Sequence, residues 1–301
     1  MQHNIISVSG GKDSTALLLL AIDRQAENMQ AVFADTGHEH PQTYEYVRYL
    51  EQATGVPIRW VRADFTKDIE RKRRYVAEKW PGKGVPPEII ERALAALHPT
   101  GNPFLDLCIW KGRMPSTKAR FCSEELKRNP IIEQVQLPLL EHGDTIWSWQ
   151  GVRADESLAR RDLAELEDVG GGLWNYRPIL QWTAADAFAM HKKHGVKHNP
   201  LYEQGMGRVG CMPCIHARKD ELLEISRRFP EVIERVAEWE RIVAQASKRQ
   251  ATSFFAHADG RGESITQVVE WAKTSRGGTQ YDLIRAQNDG PLCSSIYGLC
   301  E

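Results

Sequence analysis

A glycine turn between a short strand and an apolar helix is the feature that most constrains this fold. Residues 4–8 form a β-branched run, and residues 14–20 have the apolar pattern of a buried helix. The glycines expose backbone N–H groups, and the helix amino terminus adds partial positive charge. The turn therefore suits phosphate or sulfate, and its candidate binding residues are Ser9, Gly10, Gly11, Lys12, Asp13 and Ser14.

The spacing of this turn matches neither the Walker pattern nor the dinucleotide fingerprint. Strands and helices alternate after it, with strands expected at 30–35, 57–61 and 145–149 and a helix at 41–54. Alternation of this kind predicts an α/β fold, a doubly wound parallel sheet of the Rossmann-like type. Ligands bind at the carboxyl ends of such strands, so Asp35, Thr36 and Gly37 are expected beside the turn.

Composition indicates a globular protein and narrows its partners. Lysine plus arginine (39) nearly equals aspartate plus glutamate (40), and the net charge of -1 argues against a surface made for duplex DNA. The longest apolar run, residues 16–22, is too short to cross a membrane. We therefore expect a cytoplasmic protein without a membrane partner.

The basic run at 71–74 is interpreted as an exposed helix face rather than a nucleic-acid site. His191, His194 and His198 are interpreted as part of an exposed basic helix.

Two segments of different character follow the first strands. A basic, proline-interrupted insertion at about 64–130 is typical of a substrate loop, and it lies within a predicted first domain at 1–218. Residues 219–301 are predicted to form a helical carboxyl-terminal region that ends in a cysteine-bearing tail.

Five motifs in a fixed order resemble the PP-loop ATP pyrophosphatase superfamily, and specifically the phosphoadenosine phosphosulfate (PAPS) reductase family. They are SGGKDS at 9–14, FADTG at 33–37, RFCSEELK at 120–127, GVRADES at 151–157 and GCMPC at 210–214. The resemblance covers roughly residues 4–218. It implies that the first domain is a PP-loop nucleotide-binding domain of the adenine nucleotide α-hydrolase type.

The resemblance also implies a ligand and its contacts. The nucleotide would be PAPS, adenosine phosphosulfate (APS) or ATP, with its phosphate or sulfate on residues 9–14 and its adenosine near Asp35 and Thr36. Guanidinium groups offer paired donors to such anions. The candidates for the anionic end are Arg153, Arg160 and Arg161. The alternative for these arginines is a solvated stretch paired with Asp155 and Glu156.

The cysteines suggest a metal centre. Cys211 and Cys214 form a CxxC pair, a short bite that can bind one metal or one cluster. In the APS-reducing branch of the family, an upstream cysteine pair joins such a CxxC to hold a 4Fe-4S cluster. Cys122 matches the second member of that pair, whereas Phe121 stands in place of the first.

The fourth ligand of this cluster is left open among Cys293, Cys300 and Cys108, with Cys293 preferred. The predicted metal ligands are Cys122, Cys211, Cys214 and Cys293. Zinc is the alternative to the cluster, because four thiolates suit both.

The tail carries the candidate nucleophile, Cys300, and Lys12 is the second catalytic candidate. Members of the reductase family have a nucleophilic cysteine near their carboxyl terminus, where Gly-Leu follows the cysteine. Here residues 298–299, Gly-Leu, precede it. The resemblance implies an S-sulfo intermediate on Cys300, which a thiol reductant such as thioredoxin resolves. In the alternative, Cys293 and Cys300 both bind or shield the cluster.

Three functions are therefore compared. The first is a PAPS reductase-like oxidoreductase that reduces an adenylyl sulfonucleotide to sulfite. The second is an ATP-dependent iron-sulfur sulfurtransferase of the DNA phosphorothioation or tRNA thiolation type, and only this function requires a nucleic-acid partner. The third is a zinc-stapled nucleotide-binding module without catalysis. The sequence leaves a homo-oligomer open in each case.

Overall fold

The computed structural model describes residues 1–255 and 264–274, so Cys293 and Cys300 lie outside the described residues. The strands in chain order are β1 (Gln2–Val8), β2 (Met29–Asp35), β3 (Ile58–Arg62), β4 (Thr145–Trp149), β5 (Leu166–Gly170) and β6 (Leu173–Tyr176). The α-helices in chain order are α1 (Lys12–Asp23), α2 (Pro41–Thr54), α3 (Thr66–Lys79), α4 (Pro87–Ala96), α5 (Pro103–Lys111), α6 (Phe121–Ser123), α7 (Asn129–Ile131), α8 (Leu137–Glu141), α9 (Leu158–Arg161), α10 (Ala184–Lys193), α11 (Lys219–Arg228), α12 (Pro230–Gln245) and α13 (Ile265–Lys273). Short 3-10 turns lie at Pro81–Lys83, Ala154–Glu156 and Pro200–Tyr202, and π-helical segments at Glu124–Arg128 and Ile132–Gln136.

The described residues form one sheet with the strand order β3-β2-β1-β4-β6-β5. Its first five strands in this order pair in parallel, and β5 pairs with β6 antiparallel. The order reverses direction at β1 and β4, the kind of switch point at which ligands bind in doubly wound sheets. The predicted α/β fold is confirmed.

Both faces of the central strands β1 and β2 are buried, as is usual for parallel strands. Successive residues of β1 point to opposite faces, so Ile6 packs with α1 and α2, whereas Ile5 packs against Ile131 and Val135. Helix α1 is buried along nearly its whole length, which explains its uninterrupted leucines. The sheet can therefore hold the β1–α1 turn at a fixed place on its carboxyl edge.

The chain divides into two compact units. The first comprises, among the described residues, Met1–Arg62 and Leu126–Met212; the second comprises Ala63–Glu125 together with the described residues from Pro213 onward. The predicted division at residue 218 stays a prediction. The proline-interrupted insertion contains helices α3 to α6, which belong to the second unit.

The second unit is helical and has its own aromatic core. Phe104 stacks on Trp239 with ring centroids 5.5 Å apart, and Phe254 packs against the same phenylalanine. Buried Glu240 on α12 accepts a hydrogen bond from the Phe254 amide (2.7 Å) and from the Ile265 amide (2.9 Å). Its carboxylate therefore ties two separate backbone segments to α12.

The early strands and helices lie where the sequence predicts them, within two residues at each end for β1, β2, β3 and α2 and without any shift for β4. The hairpin of β5 and β6 was not predicted, because β5 is exposed along its whole length and lacks an alternating pattern. Its sequence signal is the turn Gly170, Gly171 and Gly172, which all adopt positive φ. In the part of the chain that the structure describes, no helix is long and apolar enough to span a membrane.

Candidate nucleotide-binding site

The turn at residues 9–14 closes on itself through serine hydroxyls. The Ser14 Oγ accepts hydrogen bonds from the backbone amide and the hydroxyl of Ser9, both at 3.0 Å, and donates to the Gly11 carbonyl. The Gly11 amide donates to the Ser9 hydroxyl at 3.3 Å. Gly11 is also the N-cap of α1 and provides no side-chain cap. These donors converge at a helix amino terminus, the arrangement that binds oxyanions.

Gly10 is required by both conformation and space. Its φ of +79° is in the left-handed region, which residues with a side chain adopt at a cost. A Cβ at this position would lie 3.0 Å from the Thr43 Cγ2. Gly151, after β4, also packs closely, since a Cβ there would lie 3.4 Å from the Ser14 amide nitrogen. Two glycines therefore allow α2 and the loop after β4 to approach the turn.

Asp13 is fully buried and lies between two cations. Its Oδ2 is 3.1 Å from the Lys12 Nζ, and its Oδ1 is 2.7 Å from the Arg153 Nε. Burial of ions is compensated only when they are paired at close range. Asp13 therefore holds Lys12 and Arg153, one of the three predicted anion-binding arginines, beside the turn.

The three predicted anion-binding arginines have different surroundings. Arg153 makes two short hydrogen bonds with Asp155 (2.7 and 2.8 Å) besides its pair with Asp13. Arg160 is fully buried and pairs with Glu156, whereas Arg161 is exposed. The alternative considered from the sequence, pairing of these arginines with Asp155 and Glu156, is therefore observed. The paired side chains of Arg153 and Arg160, however, are buried rather than solvated. Their binding of an anionic substrate stays a prediction.

Two side chains from distant segments clamp the first residue of α1. The Lys12 amide donates to the Tyr202 hydroxyl at 2.8 Å, and the His191 Nε2 lies 2.8 Å from the Lys12 carbonyl oxygen. His191 is 3% exposed, so the interpretation of this residue as part of an exposed basic helix is wrong. Because a carbonyl only accepts, His191 donates through Nε2.

The carboxyl end of β2 forms a second polar cluster. The Thr36 hydroxyl donates to Glu39 at 2.7 Å, and the Tyr44 hydroxyl donates to Asp35 at 2.7 Å and lies 3.0 Å from Glu39. Burial, followed by the two carboxylates, raises the pKa of Tyr44. The Gly37 amide donates to Asp35, which completes the loop. The predicted residues 35–37 therefore lie together at the same sheet edge as the turn.

A cysteine thiol joins this cluster. The Cys211 Sγ is 3.6 Å from the Glu39 Oε1 and 3.6 Å from the Thr36 Oγ1. A backbone bridge between Cys211 and Glu39, and a hydrogen bond from the Met212 amide to the His38 carbonyl (2.8 Å), hold the two segments together. The first cysteine of the CxxC pair is thus beside the end of β2.

A cleft at the carboxyl edge of the sheet is lined by residues of both polar clusters. Val8, Phe33 and Ile131 form the apolar part of its lining, and Ser9, Ser14 and Glu39 contribute polar groups. The residues that line it are Ser7, Val8, Ser9, Ser14, Phe33, Ala34, Glu39, Lys127, Ile131, Gly151 and Gly210.

The other cysteines give no metal site in residues 1–255 and 264–274. No group of three or more His, Cys, Asp or Glu side chains in these ranges is arranged to hold a metal ion. Cys108 is buried, and its burial, followed by the charge of Cys122, raises the pKa of its thiol. Cys122 and Cys214 form no disulfide with another described residue and are partly exposed. The predicted centre includes Cys293, outside the described residues, so cluster and zinc both stay predictions.

Sequence reasoning missed the roles of Glu39, Tyr202 and His191. Glu39 follows the FADTG motif by two residues, and its position after a strand end was a signal for a site residue. Tyr202 belongs to the segment Asn-Pro-Leu-Tyr, and Asn199 of the same segment donates to the Gly10 carbonyl at 3.3 Å. No local pattern pairs this segment with the turn, because the contacts span 189 and 190 residues.

The chain is similar to a known protein family and to several known proteins. The phosphoadenosine phosphosulfate reductase domain matches residues 3–92 and 106–217. An uncharacterized 37.8 kDa protein of Escherichia phage 186 is 54% identical over an alignment 324 positions long. The alignment covers 99% of this chain and 96% of the phage protein. The adenosine 5'-phosphosulfate reductase of Allochromatium vinosum is 36% identical over 76 residues, 25% of this chain and 29% of that enzyme.

One solved structure is similar over a large part of the chain. The PAPS reductase from Candida auris, in a phosphate complex, has a TM-score of 0.41 and 19% identity, and the match covers 69% of this chain and 81% of that one. The family match includes the glycine turn, the end of β2 and the segment of Cys211. It also covers more than half of the chain. This chain therefore belongs to the phosphoadenosine phosphosulfate reductase domain family.

Proposed function

We propose that this protein is an oxidoreductase that binds an adenylyl sulfonucleotide and reduces its sulfate to sulfite. The observation that carries the proposal is that one cleft is lined both by the glycine turn and by Glu39, whose carboxylate lies beside a cysteine thiol. Ser9 and Ser14 line the cleft on one side, and Glu39, which contacts the Cys211 thiol, lines it on the other. Family membership supports the same chemistry.

The nucleotide would bind with its anionic end on the turn. The Ser9 and Ser14 hydroxyls and the Gly11 amide now bond one another, and an incoming sulfate or phosphate would replace these internal bonds with stronger charge-assisted ones. Lys127 lines the same cleft and adds a cation. The apolar wall at Phe33 and Ala34 would contact the adenosine.

The proposed reaction has two steps. The Cys300 thiolate attacks the sulfur of the sulfonucleotide, forms an S–S bond, and releases the adenosine phosphate as the S–O bond breaks. One thiol of a dithiol reductant of the thioredoxin type then attacks the Cys300 sulfur and releases sulfite, and its second thiol displaces the Cys300 thiolate from the mixed disulfide and closes the reductant's own disulfide. Sulfur is reduced from sulfate to sulfite, and two thiols are oxidised. Lys12 and Lys127 would offset charge on the nucleotide.

The test is sulfite release from APS and from PAPS with reduced thioredoxin. We expect release with at least one substrate, its loss in Cys300→Ser, and its retention in the matched control Ser295→Ala, which changes the same tail without removing a thiol. No sulfite from either substrate, with a chain that still binds the nucleotide, would overturn the proposal.

Metal content is measured on the same preparation. We propose a 4Fe-4S cluster, with zinc as the alternative, because the resemblance implies this ligand set. Anaerobically purified protein is analysed for iron, sulfide and zinc, and compared with Cys211→Ser. About four irons and four sulfides per chain, lost in the variant, would support the cluster. Zinc alone would support the alternative.

A further inference from the structure

An exposed tyrosine in the second unit is surrounded by lysines from three separate segments. Tyr75, on α3, is 39% exposed. The Lys72 Nζ lies 5.7 Å from the centre of its ring, and the Lys83 Nζ lies 5.1 Å from it. Lys248, from the segment after α12, lies over the neighbouring Trp80 ring at 5.3 Å. We call Lys72, Tyr75, Lys83 and Lys248 the lysine–tyrosine surface.

The charged groups of this surface shift one another's pKa values. Lys83 donates a hydrogen bond to the Tyr75 hydroxyl at 2.7 Å and lowers the pKa of the tyrosine, and Lys248 and Lys72 lower it further. Burial, and to a lesser extent the charge of Lys248, lowers the pKa of Lys72. Within the described ranges, none of the three lysines forms an ion pair with a carboxylate. Like charges held together without an acid partner favour an anionic ligand.

The basic run at 71–74 is not itself this surface. Arg71 pairs with Asp68 on the same helix, and Arg73 bonds carbonyl groups at the end of α4, including that of Leu97 at 3.3 Å. Of these four residues only Lys72 contributes to the surface. The cations are brought together by the fold, from α3, the turn after it and the segment after α12.

We propose that the lysine–tyrosine surface binds single-stranded nucleic acid, with phosphates on the three lysines and one base stacked on Tyr75. Lysines supply phosphate contacts without sequence preference, and an aromatic ring supplies a platform for an unstacked base. An acidic peptide would use the lysines but has no planar base for the ring. A duplex keeps its bases stacked on one another, so it offers no unstacked base to the Tyr75 ring.

The proposal goes beyond the proposed function and does not depend on it. Every residue of the surface is in the second unit, whereas the residues that line the nucleotide cleft are in the first. Sulfite release and nucleic-acid binding are therefore separate readouts, and either can fail alone.

The test is fluorescence anisotropy of the full chain with a labelled 20-nucleotide oligothymidine, over a series of salt concentrations. The double variant Lys83→Ala/Lys248→Ala is compared with Lys193→Ala/Lys273→Ala, which removes the same charge at lysines paired with Asp23 and Glu270. We expect the first variant to bind roughly tenfold more weakly and to lower the salt slope by about 1.4, at about 0.7 for each phosphate contact of a single strand. We expect the control to bind as the wild type does.

The aromatic contribution is tested separately. Tyr75→Leu should weaken binding roughly five- to 100-fold, and Tyr75→Phe should retain it, because stacking needs the ring and not the hydroxyl. Equal binding by the two double variants, equal binding by the leucine variant and the wild type, tighter binding to duplex, or equal competition by polyglutamate or anionic vesicles would each overturn the proposal. Thermal unfolding of each variant confirms that it is folded.

Discussion

The cations beside the glycine turn at residues 9–14 and the cations around Tyr75 have opposite surroundings. At the turn, Lys12 and Arg153 are nearly buried and share the buried carboxylate of Asp13. Lys72 on α3 and Lys83 in the turn after it lie over an exposed ring. Both regions are rich in lysine or arginine, yet only in the second is most of the positive charge directed outward.

The difference follows from the cost of burying charge. A buried cation must be paired, because loss of its hydration costs several kcal/mol or more. An exposed lysine keeps its charged group in water and does not have this cost. Pairing at the turn fixes side-chain positions but cancels much of the field that an anion would feel. An anion at the turn would therefore be bound by backbone amides and hydroxyls more than by the paired cations. An anion at the lysine–tyrosine surface would be bound chiefly by the net positive charge of the lysines.

The largest expected effect is at Asp13. Asp13→Ala leaves Lys12 and Arg153 buried without their shared carboxylate, which should lower the free energy of unfolding by about 3–5 kcal/mol. The control, Asp155→Ala, removes a half-exposed partner of the same arginine and should cost about 0–1 kcal/mol. Urea unfolding measures both. Equal losses would contradict the distinction between buried and exposed pairs.

Glu240 sharpens the comparison, because this buried carboxylate is satisfied by amides. Glu240→Ala leaves the Phe254 and Ile265 amides without their acceptor and should cost about 2–4 kcal/mol. Burial raises the pKa of Glu240 above its ordinary value of 4.5, although the amides oppose this shift.

The raised pKa gives a pH dependence whose sign can be checked. The stability that comes from protonating Glu240 is fully present below about pH 4.5 and is lost as pH rises through its folded pKa. Glu240→Gln should remove this part of the pH dependence. Unfolding measured from acid to neutral pH, with Glu234→Gln at an exposed position of the same helix as the control, tests it. Identical profiles for Glu240→Gln and the wild type would contradict the assignment.

A smaller effect is expected from the neutral clamp on the turn. Tyr202→Phe removes the hydroxyl that accepts from the Lys12 amide and should lower the free energy of unfolding by about 1–2 kcal/mol. Tyr49→Phe, which removes a hydroxyl that accepts from the exposed Lys197 amide, is the matched control and should cost less. Nucleotide binding should weaken only in the first variant.

The smallest effect is expected at the lysine–tyrosine surface. Lys83→Gln should change the free energy of unfolding by no more than about 0.5 kcal/mol, because it is exposed and has no carboxylate partner in the described residues. Thermal unfolding in low and high salt checks this. A loss near that of Asp13→Ala would show that this lysine is structural and would remove the contrast between the two regions.

The fold was predictable where local pattern decides it. The β-branched run, the glycine turn and the leucines of α1 specify one strand–turn–helix unit, and the same kind of pattern locates β2, α2 and β4. The end of β2 was predictable as a site position, since parallel strands share one ligand-binding edge. Asp35 and Thr36 do lie there.

The rest depends on contacts that no local pattern shows. The charge of Arg153 is visible in the sequence, but its neutralisation by Asp13, 140 residues earlier in the chain, is not. Lys72, Lys83 and Lys248 come together only after α3 and α12 have packed in one unit. The hairpin of β5 and β6 is exposed, so burial gives it no alternating pattern.

The clamp on Lys12 also sets the order of events during synthesis. The two groups that hold this residue are encoded 179 and 190 residues after it. At about 5–20 residues per second, a ribosome needs roughly 10–40 seconds to reach them. A nascent chain therefore exposes its glycine turn without these two contacts for that time.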